Sequence, residues 1–148
     1  MIDQFQELLK ALGQHLGVTL QPDKRGACRL NVQDVAHIQL EYEPAKEQLL
    51  IISFVCEVPP GKLRENIFRD ALKANHPYSL DGVFGYSERN NQLCLFLYKS
   101  IHGLTAEKLS GVLNGFMEKV NKWKDAVGVG QTATLVPMAS GKEKPFGL

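Results

Sequence analysis

The chain has 148 residues, a length that suits one domain. Its 17 Lys and Arg against 16 Asp and Glu leave a formal charge of +1, which lacks the basic excess of a dedicated nucleic-acid binder. Apolar residues make up 44%, ample for one core, and the longest dense apolar stretch, 49–56, is far too short to span a bilayer.

In chain order, the first element is a helix over 4–16, which Asp3 can cap with Gln6 completing a capping box. Phe5, Leu8, Leu9, Leu12 and Leu16 recur at helical spacing, and Gly17 is a natural stop. A loop over 20–26 leads to a strand over 27–32. A second strand over 35–42 alternates Ala36, Ile38, Leu40 and Tyr42 with His37, Gln39 and Glu41, so one face is covered and one is wet. Residues 49–56 are apolar on both faces apart from Ser53, which marks an interior strand. Pro59-Pro60-Gly61 ends it, because consecutive prolines supply no ladder donors.

A second helix over 62–75 carries Leu63, Ile67, Phe68, Ala71 and Leu72, and His76-Pro77 stops it. A short strand over 80–86 and a near-continuous apolar strand over 93–98 follow, joined by a turn holding two adjacent asparagines. The third helix is the clearest element. Thr105 caps it, and Leu109, Val112, Leu113, Phe116, Met117, Val120, Trp123 and Val127 hold the spacing for about five turns. Gly111 and Gly115 weaken its propensity, and close approach by a neighbour is the effect expected to accompany them. Beyond Gly128 periodicity is lost, so 1–127 reads as the domain and 128–148 as a flexible tail, within which Thr134, Leu135 and Val136 could pair locally. The order α-β-β-β-α-β-β-α predicts an α+β fold with an antiparallel twisted sheet and three helices.

Chemistry is sparse. Cys28, Cys56 and Cys94 are odd in number and widely spaced, which suits buried reduced thiols better than a disulfide framework or a zinc site. No phosphate loop, dinucleotide fingerprint, zinc-protease motif or serine nucleophile elbow is present. His15, His37, His76 and His102 have no ligand or carboxylate at a spacing that would build a local site. Neither cofactor nor metal is expected, nor an enzyme. The N-terminus lacks a basic start followed by an apolar run, so no signal peptide is expected and the protein should stay where it is made. What remains is apolar surplus: three amphipathic helices and two strands apolar on both faces offer more greasy surface than one small pair of layers obviously hides. A second copy of the chain or an extended partner could cover it.

The whole pattern resembles the class I chaperones of bacterial type III secretion, the Tir-chaperone-like family. The resemblance rests on the stripe Phe5-x-x-Leu8-Leu9-x-x-Leu12, the strands around Leu40 and Ile52, and Pro60-Gly61 leading into the second helix. It also rests on the strand Leu93-Cys94-Leu95-Phe96-Leu97, followed by a long helix ending near Trp123. It implies a cytoplasmic, ATP-independent homodimer around which the N-terminal region of a secreted effector wraps in extended form, kept stable and competent for export. Recognition by the secretion ATPase or export apparatus is a further implied partnership, with no nucleic acid and no membrane insertion.

Grooves for the effector are expected at the exposed portions of Phe5, Leu8, Leu9 and Leu12, with Leu30, Val32, Ile38 and Leu40. The family's dimer contact, one helix and one strand of the second half, would fall at Phe68 and Leu72 or at Val83 and Phe84; the sequence does not choose. The near-neutral charge departs from a commonly acidic family. A binding or regulatory module of the same topology, without an export role, is the other reading.

Overall fold

The computed structural model describes residues 4–32, 36–75 and 81–136. Three helices, α1 (Gln4–Leu16), α2 (Lys62–Ala74) and α3 (Ala106–Gly128), accompany five strands: β1 (Ala27–Val32), β2 (Ala36–Glu43), β3 (Gln48–Glu57), β4 (Val83–Ser87) and β5 (Gln92–Ser100). The expected element order therefore holds. The strands form one sheet in the order β1-β2-β3-β5-β4, and every neighbouring pair is antiparallel. The β4–β5 hairpin enters after α2, and β5 rather than β4 lies against β3. That leaves β4 at one border and β1 at the other.

Local chemistry accounts for the boundaries. Gly17 at φ 74° ends α1, and the Thr105 side chain accepts from the Lys108 N–H at 3.2 Å to cap α3. The expected Asp3 cap and His76-Pro77 stop lie outside the described residues. β4 begins at Val83, later than the expected residue 80, because Gly82 sits at φ 122°, which is not strand backbone. A Cβ at Gly82 would also lie 2.8 Å from Leu95 Cγ, so a side chain there has neither conformation nor room. The two helix glycines part company. Gly115 is approached by Asp81, whose Oδ1 would lie 2.7 Å from an added Cβ, whereas Gly111 faces open space.

One sheet face carries the helices. Cys28, Leu30, Ile38, Leu40, Leu49, Ile51, Leu95 and Leu97 pack there with Phe5, Leu8, Leu9 and Leu12 of α1 and with Leu109, Leu113, Phe116 and Val120 of α3. α3 lies across β2 and β3, and α1 packs on α3. Phe5 stacks on Tyr42 at 5.7 Å between ring centroids, and Phe84 tilts against Trp123 at 4.3 Å. Between Phe54 and Cys56 the β3 register shifts, so Phe54 stays opposite Cys94 while Cys56 stands opposite Leu93.

The domain does not stop at Val127. The chain turns through Gly130 (φ 70°), and the Gln131 N–H donates to Ala126 O at 2.8 Å. A short 3-10 turn, Thr132–Leu135, then docks beside α2 with Thr132 only 2% exposed. Sequence periodicity missed it because four residues cannot display a period.

Candidate protein-binding surfaces

The second face of the sheet holds the first candidate surface. Period two turns Leu50, Ile52 and Phe54 of β3 and Cys94, Phe96 and Tyr98 of β5 away from the helices; Val83, opposite Phe96, shares their face. No helix covers this face among the described residues. Phe54 is 50% and Tyr98 42% exposed, while Leu50, Ile52, Val83 and Phe96 are half-buried by one another. Toward β1 and β2 the same face becomes polar, with Arg29, Asn31, His37, Gln39 and Glu41. A groove of about 710 Å³ runs along this transition, its floor formed by Leu50, Ile52 and Phe54. The result is an apolar strip with one polar bank, suited to a segment that is itself apolar on one side.

The two sheet borders differ in what they offer a strand. At β4, the Asn75 carboxamide accepts from the Phe84 N–H at 2.8 Å and donates to Phe84 O at 3.1 Å. Lys119 Nζ donates to Gly82 O at 2.8 Å. Side chains thus occupy groups that an incoming strand would need. At β1, the backbone of Ala27 points away from β2: its carbonyl accepts from the Asp23 N–H at 2.7 Å, and its N–H donates to Asp23 Oδ1 at 3.0 Å. The Ala27 N–H, with a second donor in the Arg25 N–H, holds the Asp23 carboxyl below its ordinary value. Arg29 and Asn31 repeat the orientation of Ala27, and no further strand flanks them among the described residues. β1 is the open border.

The third surface is the outer side of α2. Leu72 is 71% exposed there. Phe68 stands in an edge contact with Tyr86, 5.1 Å between centroids, and the Arg64 guanidinium lies 4.8 Å from the Phe68 ring and 5.1 Å from that of Tyr86. Arg64 also donates to Asn91 Oδ1 at 2.8 Å and to the Tyr86 hydroxyl at 2.9 Å, tying the first turn of α2 to the β4–β5 turn.

The residues expected to line effector grooves lie elsewhere. Phe5, Leu8, Leu9, Leu12, Leu30, Ile38 and Leu40 are all between 0 and 7% exposed and form the core that joins α1 to the sheet. The side chain of Val32 lies outside those described. Seven of the eight positions thus cement the protomer, and the apolar surface open to a partner belongs to β3 and β5. Periodicity alone could have found it: in the alternation of 49–56, the set Leu50-Ile52-Phe54 is as apolar as its opposite. Of the expected dimer positions, Leu72 is exposed, Phe68 and Val83 are half-buried, and Phe84 is a core residue against Trp123.

Nothing gathers into a reaction centre among the described residues. His37 Nδ1 meets Asn31 Oδ1, His102 Nε2 pairs with Glu47 Oε2 at 2.5 Å on the surface, and His15 is exposed. His76 lies outside the described residues. No group of three His, Cys, Asp or Glu side chains among those described could hold a metal, and no described helix is long and apolar enough to cross a membrane. The three cysteines are free, and burial pushes each thiol above its ordinary value.

A helix-backed antiparallel sheet with an apolar strip and one strand border left uncovered among the described residues has the geometry of a module that binds other polypeptide. Residues 7–124 match the Tir chaperone protein (CesT) family, and the chain belongs to that family. No curated protein sequence matches it. Among solved structures, a chain of the ExsC–ExsE complex is 23% identical, with a TM-score of 0.72 over 91% of this chain and 95% of its own. A chain of the HopA1–SchA chaperone–effector complex is 19% identical, with a TM-score of 0.71 over 85% of this chain and all of its own. The Yersinia pestis type III secretion chaperone SycH, in complex with a fragment of YscM2, gives 16% and 0.64 over 80% and 98%. The fold also occurs in YbjN, a putative transcription regulator from E. coli, at 14% identity and a TM-score of 0.60 over 84% and 92%.

Proposed function

We propose that the protein is an ATP-independent chaperone of the bacterial cytoplasm that binds the N-terminal region of a type III secretion effector in extended form and keeps it competent for export. It carries out no catalysis in this role. The observation that carries the reading is the uncovered apolar strip of Leu50, Ile52, Phe54, Phe96 and Tyr98, on a sheet whose β1 border is open two strands away. A disordered segment loses entropy on binding and must bury apolar area to offset it, about 1.5–3 kcal/mol for each fully buried large side chain. Strand addition at β1 would supply main-chain hydrogen bonds to one stretch of the segment, and the strip, reached across the polar bank of β1 and β2, would take apolar side chains of another. Membership of the Tir chaperone family and the likeness to chains from chaperone–effector complexes support the same reading.

The working unit is a homodimer formed through the outer side of α2 and the adjoining β4. Leu72 and Phe68 are its apolar contacts on α2, Val83 flanks them on the opposite sheet face at the β4 border, and Phe84 takes no part because the core holds it. The secretion ATPase or the export apparatus would receive the loaded dimer.

The test is capture of the partner from the native cell at low salt, with the bound segment mapped by proteolysis, using wild type and Ile52→Asp. Ile52 is only half-buried, so the substitution should leave the protomer folded while placing a charge in the strip. A secreted protein held by an N-terminal stretch that becomes protease-sensitive once released is the expected result, lost in Ile52→Asp. A partner that stays compact after release would favour a regulatory module instead, and undiminished capture by Ile52→Asp would remove the strip from the account.

A further inference from the structure

Among the described residues, the buried charged side chain lies outside the sheet. Asp70, in the middle of α2, is 3% exposed, and its Oδ2 accepts from Thr132 Oγ1 at 2.8 Å within the interior. Its other oxygen meets Arg69 Nε at 3.5 Å. A carboxylate withdrawn from water needs hydrogen-bond donors, and the buried one here comes from the 3-10 turn, sixty-two residues along the chain. That turn lies beyond residue 124, where the family match ends.

α2 also rests against this turn more extensively than against β4. Leu135 packs on the core, and Gly130 passes close to Leu63 of α2. Hydrogen bonds from Val129 to Asp125 O and from Gln131 to Ala126 O bend the chain back from α3 to reach it. α2 is thus clamped on its inner side by Thr132–Leu135, while its outer side carries Phe68 and Leu72.

We infer that residues 129–136 form a strap that positions α2 for self-association, with Thr132 and Asp70 as positioning residues joined by their buried hydrogen bond. The inference rests on the proposed α2 dimer surface. With the strap docked, Leu72 and Phe68 are presented on a fixed helix. With it undocked, α2 keeps its core side chains Ile67 and Ala71 and its attachments at Arg64 and Asn75 but loses its inner clamp, so the surface must be ordered further on association, which weakens it.

The test uses the full chain as Thr132→Val, which keeps the shape and removes the donor, Thr132→Ser, which restores the donor, and Leu135→Ala as an independent loosening of the strap. Two quantities are read: the dimer dissociation constant by sedimentation, and amide exchange resolved along the chain. Thr132→Val and Leu135→Ala should weaken association about tenfold and lower protection in α2 by a similar factor, leaving β2 and β3 unchanged; Thr132→Ser should recover both. Unaltered α2 protection, or a loss shared equally by the whole sheet, overturns the inference, as does unchanged association of a dimer whose α2 has loosened. A wild type that stays monomeric refutes the α2 dimer reading and the strap's part in association, and exchange then decides separately whether the strap holds α2.

Discussion

Asn75→Ala isolates the closure of the β4 border. The native carboxamide makes two bonds to one strand residue, at 2.8 Å from the Phe84 N–H and 3.1 Å to its carbonyl. Each such bond contributes about 0.5–1.5 kcal/mol net, so losing both should cost about 2 kcal/mol. For a domain of this size that is roughly a 4–8 °C fall in Tm. Urea unfolding gives the magnitude, and exchange of the Phe84 amide gives the location. Asn75→Asp is a sharper probe. Its carboxylate can still accept from the Phe84 N–H but repels the carbonyl, so Asn75→Asp should recover stability in acid, as the side chain regains a proton to donate below about pH 4. Alanine should show no such recovery. The alanine variant should also gain concentration-dependent association through the uncovered border. An unfolding free energy within about 0.3 kcal/mol of wild type, with an unchanged Phe84 amide, would refute the claim that side chains close this edge.

Leu72→Asp should convert the proposed dimer to a folded monomer. With 71% of the residue exposed in the protomer, and two copies meeting across a two-fold axis, the lost burial amounts to about 2–4 kcal/mol, roughly 30- to 700-fold in the dissociation constant by light scattering. Unaltered association would clear α2 of the role. Gly111→Ala should stabilise the protein by about 0.5–1 kcal/mol in urea, because nothing opposes its Cβ, whereas Gly115→Ala should gain less because Asp81 must move; equal gains would contradict that difference. Burial raises the Cys28, Cys56 and Cys94 thiols above their ordinary 9.0, so the fold keeps these protons after the unfolded chain has released them. Their contribution is fully present below pH 9 and is lost as pH climbs through the raised folded values, while Lys119, lowered by desolvation from 10.5, acts in the opposite sense. Cys94→Ala should therefore flatten the loss of stability between pH 9 and 10.5; an unchanged slope would refute the thiol's part in it.

Periodicity and punctuation determined the elements. The stripe of Phe5, Leu8, Leu9 and Leu12, the Pro59-Pro60-Gly61 break and the Thr105 cap act within a few residues of themselves, and their consequences could be read without coordinates. The doubly apolar strand at 49–56 was legible in the same way, since both of its faces want cover. Which face receives it was not. A hydrophobic period reports that a side must leave water, not what will shelter it. Only the tertiary structure assigned Leu40 and Ile51 to the helices and left Ile52 and Phe54 bare. The same limit concealed the docked segment after Val127 and the guarding of β4 by Asn75 and Lys119, because a hydrogen bond such as Thr132 to Asp70 joins residues that meet only once the chain has folded.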